Sequence, residues 1–200
     1  MLRCAICYHA DMRILMLGNS LTTANDLPTL VGNLTGAEVV VHALGGARLA
    51  EQLNPKTRLG ALTQQALAND PWDYVVLQES SNGPVVHRER FLEAAAQLCE
   101  QIHNAGATPI MFATWAYAPT CPKLAKMGIS RGEMHALLES AYHEAAQNGS
   151  ALVADVGHAF FEYENPVELY RPDGVHPSAE GTALAASVIA SCIERNRDMV

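Results

Sequence analysis

Five short apolar runs alternate along the chain with longer stretches of mixed polarity. The runs cover residues 13–17, 38–43, 74–77, 108–113 and 151–154. Strands in which consecutive residues are apolar, rather than every second one, are typical of a parallel sheet that is covered on both faces. The pattern therefore predicts five buried, parallel strands.

The intervening stretches have the spacing of amphipathic helices. Phe91, Ala95, Leu98 and Ile102 recur at i, i+4, i+7 and i+11, which places them on one helical face. A second stripe of this kind consists of Met134, Leu137, Leu138, Ala141, Tyr142 and Ala145. Strands that alternate with helices predict an α/β fold, built as a doubly wound, three-layer α/β/α sandwich.

Composition limits the class of protein. The 200 residues are 49% apolar and 17% charged, which suits one compact domain. We predict that this domain covers residues 12–196. The preceding leader segment, residues 1–11, is expected to be unstructured. The net charge is −8 and the 13 lysines and arginines are scattered, which argues against a nucleic-acid partner. No apolar run approaches the ~20 residues that span a bilayer, so no membrane partner is predicted.

Cysteine and histidine usage gives little sign of a metal centre. The five cysteines are odd in number and sparse, which argues against a disulfide framework and is compatible with a reducing, cytoplasmic location. Cys4 and Cys7, with His9, have a spacing that suits metal or redox chemistry, but one such pair is weak evidence, and an unstructured leader is the preferred interpretation. The histidines without paired metal-ligand spacing are His87, His103, His135, His143 and His158. We predict no metal site.

The residues that follow the strands carry the candidate chemistry, because parallel sheets bind ligands at the carboxyl ends of their strands. Ser20 follows the first strand, and Asp173 and His176 lie three residues apart near the C-terminus. A hydroxyl nucleophile, an imidazole base and a carboxylate that orients the imidazole are the parts of a serine hydrolase. The backbone N–H groups of Ser20 and Gly46 and the side-chain amide of Asn82 are candidate donors to an oxyanion.

Four segments together resemble the sequence blocks of the SGNH (GDSL-like) hydrolases. The segments are Ile14–Thr22 with Gly18-Asn19-Ser20, then Gly45-Gly46, then Asp73–Asn82, and finally Asp173-x-x-His176-Pro177-Ser178. The first block usually reads Gly-Asp-Ser, so Asn19 indicates a divergent branch. The resemblance covers residues 12 to about 193. It implies a flavodoxin-like strand order 2-1-3-4-5, no cofactor, and a triad of Ser20, His176 and Asp173.

The leading functional prediction is a serine ester hydrolase that acts on a small acyl or acetyl ester. Asn82 is the preferred side-chain donor to the oxyanion and Gln78 the second choice. Glu79 and Trp115 are candidates for the substrate pocket. The alternative is a non-catalytic, flavodoxin-like module that binds a phosphate or a flavin, which would leave the last block unexplained. The expected partner is a small-molecule ester, and the oligomeric state stays open.

Overall fold

A computed structural model describes residues 12–199, so the predicted leader with Cys4, Cys7 and His9 lies outside the described residues. The strands are β1 (Arg13–Gly18), β2 (Glu38–Ala43), β3 (Tyr74–Leu77), β4 (Thr108–Ala113) and β5 (Leu152–Asp155). They form one parallel sheet in the order β2-β1-β3-β4-β5. The predicted α/β class and strand order are therefore confirmed.

The apolar runs correspond closely to the strands. β3 is buried along its whole length, and β1 and β4 are buried except at their first residues, whereas the edge strands β2 and β5 are only partly covered. β1 ends one residue later than predicted because Gly18 still pairs with Ala43. β5 is likewise displaced by one residue, since Asp155 pairs with Ala113.

Helices cover both faces of the sheet. They are α1 (Ser20–Thr23), α2 (Leu27–Thr35), α3 (Leu49–Gln52), α4 (Arg58–Asn69), α5 (Gly83–Val86), α6 (Arg88–Asn104), α7 (Pro122–Met127), α8 (Arg131–Gly149), α9 (Val156–Phe161) and α10 (Ala179–Arg197), with short 3₁₀ segments at Ala24–Asp26 and Pro166–Leu169. On one face α2 packs against α10, and on the other α6 packs against α8. A hydrogen bond from Gln64 to Gln101 joins α4 to α6.

One predicted helical stripe needs correction. Leu137 of α8 is exposed, whereas His135 of the same helix is buried. The helix turns His135 toward α9, where its ring stacks on Phe161 with ring centroids 4.1 Å apart. The aromatic contact with α9 therefore adds His135 to the covered face of α8, while the rest of the predicted stripe is buried.

The strand order creates a candidate ligand site at one edge of the sheet. The chain runs from β1 outward to β2 and then returns to β3 on the other side of β1, so the loops after β1 and β3 diverge at the carboxyl ends of these strands. Such a reversal of direction opens a crevice. Within residues 12–199, no helix has both the length and the apolar character needed to cross a membrane.

Candidate active site

The loop after β1 presents Ser20 at the first position of α1. Asn19 caps this helix, because its side-chain oxygen accepts a hydrogen bond from the Leu21 N–H at 3.1 Å. The Asn19 Nδ2 group donates to the Ala47 carbonyl at 3.0 Å. An aspartate has no such donor, so Asn19 ties the Ser20 loop to the loop after β2 in a way that the usual Gly-Asp-Ser block does not.

His176 and Asp173 come from the loop before α10 and meet Ser20. The Ser20 Oγ and His176 Nε2 atoms are 3.0 Å apart, and His176 Nδ1 lies 2.6 Å from Asp173 Oδ2. When Nδ1 carries the proton and donates it to Asp173, Nε2 is free to accept the Ser20 hydroxyl proton. The structure thus brings together the three side chains that the sequence analysis singled out.

Asp173 is held in its ionised form by hydrogen bonds. Burial alone would raise its pKa, but the Val175 N–H, the His176 side chain and the His176 N–H outweigh that effect and lower the pKa of Asp173 to about 2. A carboxylate that stays charged near neutral pH keeps the imidazole oriented and stabilises its protonated form.

Trp115 supports the loop that carries His176. Its indole N–H donates to the Val175 carbonyl at 3.0 Å, and its ring stacks on Phe160 with centroids 4.1 Å apart. Only 2% of Trp115 is exposed, which leaves almost no surface for a substrate. The substrate contact predicted for Trp115 is therefore replaced by a positioning role.

The three candidate oxyanion donors have no hydrogen-bond partner within residues 12–199. Gly46 has a φ of +74°, a left-handed conformation that favours glycine, and an added Cβ there would meet nothing within 4 Å. Among residues 12–199, the N–H groups of Ser20 and Gly46 donate to no backbone or side-chain acceptor. The Asn82 side chain likewise has no hydrogen-bond partner in the described part of the chain, and the residue lies directly before α5. These are the donors that the sequence analysis proposed for an oxyanion.

Gln78 holds the Ser20 loop through its side chain. Its side-chain oxygen accepts from the Asn19 N–H at 3.0 Å and from the Thr22 hydroxyl at 2.8 Å. Its amide nitrogen donates to the Glu79 carbonyl. Because the side chain is buried and its oxygen and nitrogen both have partners, the structure supports a positioning role for Gln78 more than a role as the second candidate donor to an oxyanion.

Glu79 links the two loops that carry Gly46 and Asn82. One carboxylate oxygen accepts from the Leu49 N–H at 3.0 Å, and the other accepts from the Ser80 N–H at 2.6 Å. Glu79 is buried, so these backbone contacts take the place of the predicted substrate contact.

Asn25 is a positioning residue that the sequence analysis did not find. It lies five residues after Ser20, and its side-chain nitrogen is within 3.0 Å of the carbonyls of Pro177 and Ser178 and 2.7 Å from the Thr182 hydroxyl. Its side-chain oxygen accepts from the Arg171 guanidinium at 2.7 Å. Asn25 therefore connects the Ser20 segment to both sides of the loop that carries His176. The sequence signal for this position is weak: Asn is one of the few residues other than glycine that tolerate its φ of +45°.

The sequence pattern of the GDSL-like lipase/acylhydrolase family matches residues 16–184, so the chain belongs to this family of hydrolases. Similarity to solved structures agrees with this. A predicted SGNH hydrolase from Slackia heliotrinireducens is 51% identical, with a TM-score of 0.89 over 92% of this chain and 99% of that one.

More distant structures share the fold alone. The lipase/acylhydrolase from Enterococcus faecalis is 17% identical, with a TM-score of 0.66 over 92% of this chain and 96% of that one. The acetyl xylan esterase AlAXEase is 15% identical, with a TM-score of 0.69 over 91% of this chain and all of that one. Among curated proteins, none matches the chain.

Proposed function

We propose that this protein is a serine ester hydrolase that cleaves small acyl or acetyl esters. The observation that best supports this is the hydrogen-bonded series from Ser20 through His176 to Asp173, with separations of 3.0 and 2.6 Å. Both distances are within the range expected of a nucleophile and its base, and of a base and the group that orients it.

In the proposed first step, Ser20 Oγ attacks the carbonyl carbon of the ester while His176 Nε2 takes the hydroxyl proton. The negative charge moves to the carbonyl oxygen, which accepts hydrogen bonds from the N–H groups of Ser20 and Gly46 and from the Asn82 amide. The tetrahedral intermediate then expels the alcohol, which leaves with the proton from His176. The product of this step is an acyl ester of Ser20.

The second step regenerates the enzyme. A water molecule gives a proton to His176 Nε2 and attacks the acyl carbon, and a second oxyanion forms in the same place. When this intermediate collapses, His176 returns its proton to Ser20 Oγ and the carboxylic acid departs. Asp173 remains ionised throughout and stabilises the imidazolium in both steps.

The exposure of the site favours a short acyl group. The side chains of His176 and Asp173 are 35% and 49% exposed, so the reacting atoms lie close to the protein surface. Trp115 and Tyr117, which could have lined an acyl channel, are buried instead. A shallow site suits an acetyl group on a large alcohol better than a long acyl chain, which needs an extensive apolar lining.

The geometry gives less support to a module that binds phosphate or flavin. Such a module would use the free N–H groups at the start of the helix after β1. Here α1 is only four residues long, and the Leu21 N–H is already bonded to the Asn19 side chain. The hydrogen-bonded side chains of Ser20, His176 and Asp173 would also have no function in a binding module.

The test is the hydrolysis of p-nitrophenyl esters from acetyl to lauroyl by wild-type protein, Ser20→Ala and Thr23→Ala. Thr23 is a matched control, because its hydroxyl lies in the same short helix but its side chain is exposed. We expect Ser20→Ala to keep less than about one per cent of wild-type activity, with stability changed by less than ~1 kcal/mol. Thr23→Ala is expected to hydrolyse the esters at the wild-type rate.

Two results would contradict the proposal. Substantial turnover by Ser20→Ala would remove Ser20 as the nucleophile. A preference for lauroyl over acetyl esters would contradict the small acyl group. It would direct attention to a surface cavity of about 270 Å³ beside β2, lined in part by Leu44, Leu59 and Leu62.

A further inference from the structure

Metal-ligating side chains gather where α8 meets α9, away from the triad. His135, Glu139 and His143 follow one another at intervals of four residues along α8, which places them on one helical face. Asp155 ends β5 and caps α9, and His158 lies in the first turn of α9, which packs against α8. The ligand atoms of His135, Glu139 and His158 all lie within 4.8 Å of one another.

His135 is the buried member of this group. It is 8% exposed, and one face of its ring stacks on Phe161. Among residues 12–199, no side chain or backbone group forms a hydrogen bond with its ring nitrogens. Neither ring nitrogen is sealed from solvent, so an ion can reach the imidazole where it lies beside a carboxylate and a second imidazole.

The distance between the side chains of Glu139 and His158 suits a bridging metal ion better than a direct hydrogen bond. His158 Nδ1 lies 3.8 Å from the nearest carboxylate oxygen of Glu139, which is too long for a hydrogen bond. Two ligands of a tetrahedral zinc ion, at ~2.1 Å from the metal, are about 3.4 Å apart. Both side chains are half-exposed, so an ion can enter from solvent.

Glu139 also lies near His143 and Asp155, but these two side chains are already paired. His143 Nε2 and Asp155 Oδ2 are 3.2 Å apart, and the other oxygen of Asp155 accepts from the His158 N–H at 3.1 Å. A metal ion bound there through Oδ2 would have to replace the contact between His143 and Asp155. The group with His135 loses no hydrogen bond when it binds an ion.

Arg131 is a cation close to this group, and its guanidinium contacts other partners. Arg131, one turn before His135, places its guanidinium 4.6 Å from the centre of the Phe161 ring and donates to the Phe160 carbonyl at 2.9 Å. Neither contact involves Glu139, so no ion pair with Arg131 competes with a metal ion for that carboxylate.

We propose that His135, Glu139 and His158 bind a divalent transition-metal ion, with Zn²⁺ as the best match, and that the ion fastens α8 to α9. Two imidazole nitrogens and one carboxylate oxygen are ligands that zinc prefers, and three protein ligands leave one position for water. The intervals of four along α8 place possible ligands on one helical face, a spacing that the sequence analysis did not weigh.

The ion would have a structural role, independent of the proposed hydrolysis. Phe160 of α9 stacks on Trp115, and Trp115 holds the Val175 carbonyl beside His176. An ion that fixes α9 therefore stabilises the side of the fold on which the loop of His176 rests.

The test is calorimetric titration of the full chain with Zn²⁺, carried out in a Cys4→Ser/Cys7→Ser background so that the leader thiols cannot bind the ion. We expect one equivalent to bind. Glu139→Gln and His158→Ala should each weaken binding about tenfold or more, while the control His143→Ala stays within threefold. At a free Zn²⁺ concentration 100 times Kd, Tm should rise by about 5–10 °C and fall back with EDTA.

Nuclear magnetic resonance of the imidazole nitrogens tests the site without any change to its residues. Addition of Zn²⁺ should shift the ring resonances of His135 and His158 and leave those of His143 in place. The proposal is overturned if Zn²⁺ does not bind saturably, if Glu139→Gln binds as tightly as the parent protein, or if the His143 resonances shift instead.

Discussion

Replacement of Asn25 by glycine should loosen the loop of His176 against Ser20 while leaving the backbone relaxed. Asn25 has a φ of +45°, so glycine fits this position without strain and only the side-chain hydrogen bonds are lost. Ser150 is a matched control, because it has a φ of +49° but is an exposed residue at the end of α8.

The magnitude follows from the hydrogen bonds of Asn25. Its two amide hydrogens can satisfy two of the three acceptors within reach, and its oxygen accepts from Arg171. At ~0.5–1.5 kcal/mol net for each bond, Asn25→Gly should lower the free energy of unfolding by about 2–3 kcal/mol. For a chain of this length that corresponds to a fall in Tm of roughly 5–10 °C.

The effect on turnover should be larger on kcat than on KM, because Asn25 touches the loop of His176 and not the substrate. Displacement of a catalytic group by up to ~1 Å costs as much as ~10²-fold. The Tyr170–Pro177 bridge still holds the loop in part, so we expect kcat to fall about tenfold and KM to change less than threefold.

The assay combines thermal melts with steady-state hydrolysis of the best p-nitrophenyl ester by Asn25→Gly and Ser150→Gly. The control should match the wild type in both measurements. A wild-type kcat together with a Tm within 2 °C of wild type would refute the role of Asn25. A rise in KM with kcat unchanged would show instead that Asn25 acts on substrate binding.

Three further predictions concern the loops of the site. Asn82→Ala should lower kcat by about 10²–10³ with its fold intact, whereas Gln78→Ala should chiefly lower Tm; a near-normal kcat for Asn82→Ala would exclude its amide from the oxyanion site. Asn19→Asp should destabilise the fold by ~1–3 kcal/mol, measured by urea unfolding, because it sets a carboxylate against the Ala47 carbonyl; unchanged stability would contradict the importance of that hydrogen bond. The folded pKa of Asp173 lies below its unfolded value, so its contribution to stability is present above ~pH 4 and lost as the pH falls toward 2. Asp173→Asn should accordingly reduce kcat/KM throughout pH 5–8, and a loss confined to the acid end would contradict an ionised Asp173.

Local patterns were sufficient to predict the positions and the parallel arrangement of the strands, whereas the strand order came from the family resemblance. A run such as Tyr74–Leu77 is entirely apolar because helices cover both of its faces. An unbroken apolar run in the sequence therefore indicates this environment. The strand ends then located Ser20, since a residue after a buried strand lies at the edge of the sheet where ligands bind.

The supporting residues depend on contacts that no local pattern records. Asn25 acts on Pro177 and Ser178, more than 150 positions away. Glu79 and Trp115 do follow strands, as predicted, but the packing of other elements buries them and directs their polar groups to backbone partners. Proximity to the site could be predicted from position, whereas the partner of each side chain could not.

The central claim is that Ser20 is the nucleophile of a hydrolase, and covalent labelling with a fluorophosphonate tests it most directly. The reagent phosphonylates a serine whose proton is taken by a nearby base, and peptide mapping by mass spectrometry identifies the serine. The account predicts one adduct per chain, located on Ser20, with ester hydrolysis lost in proportion to labelling and with no labelling of Ser20→Ala. An adduct on a different serine, or full activity in protein that carries the label, would contradict it.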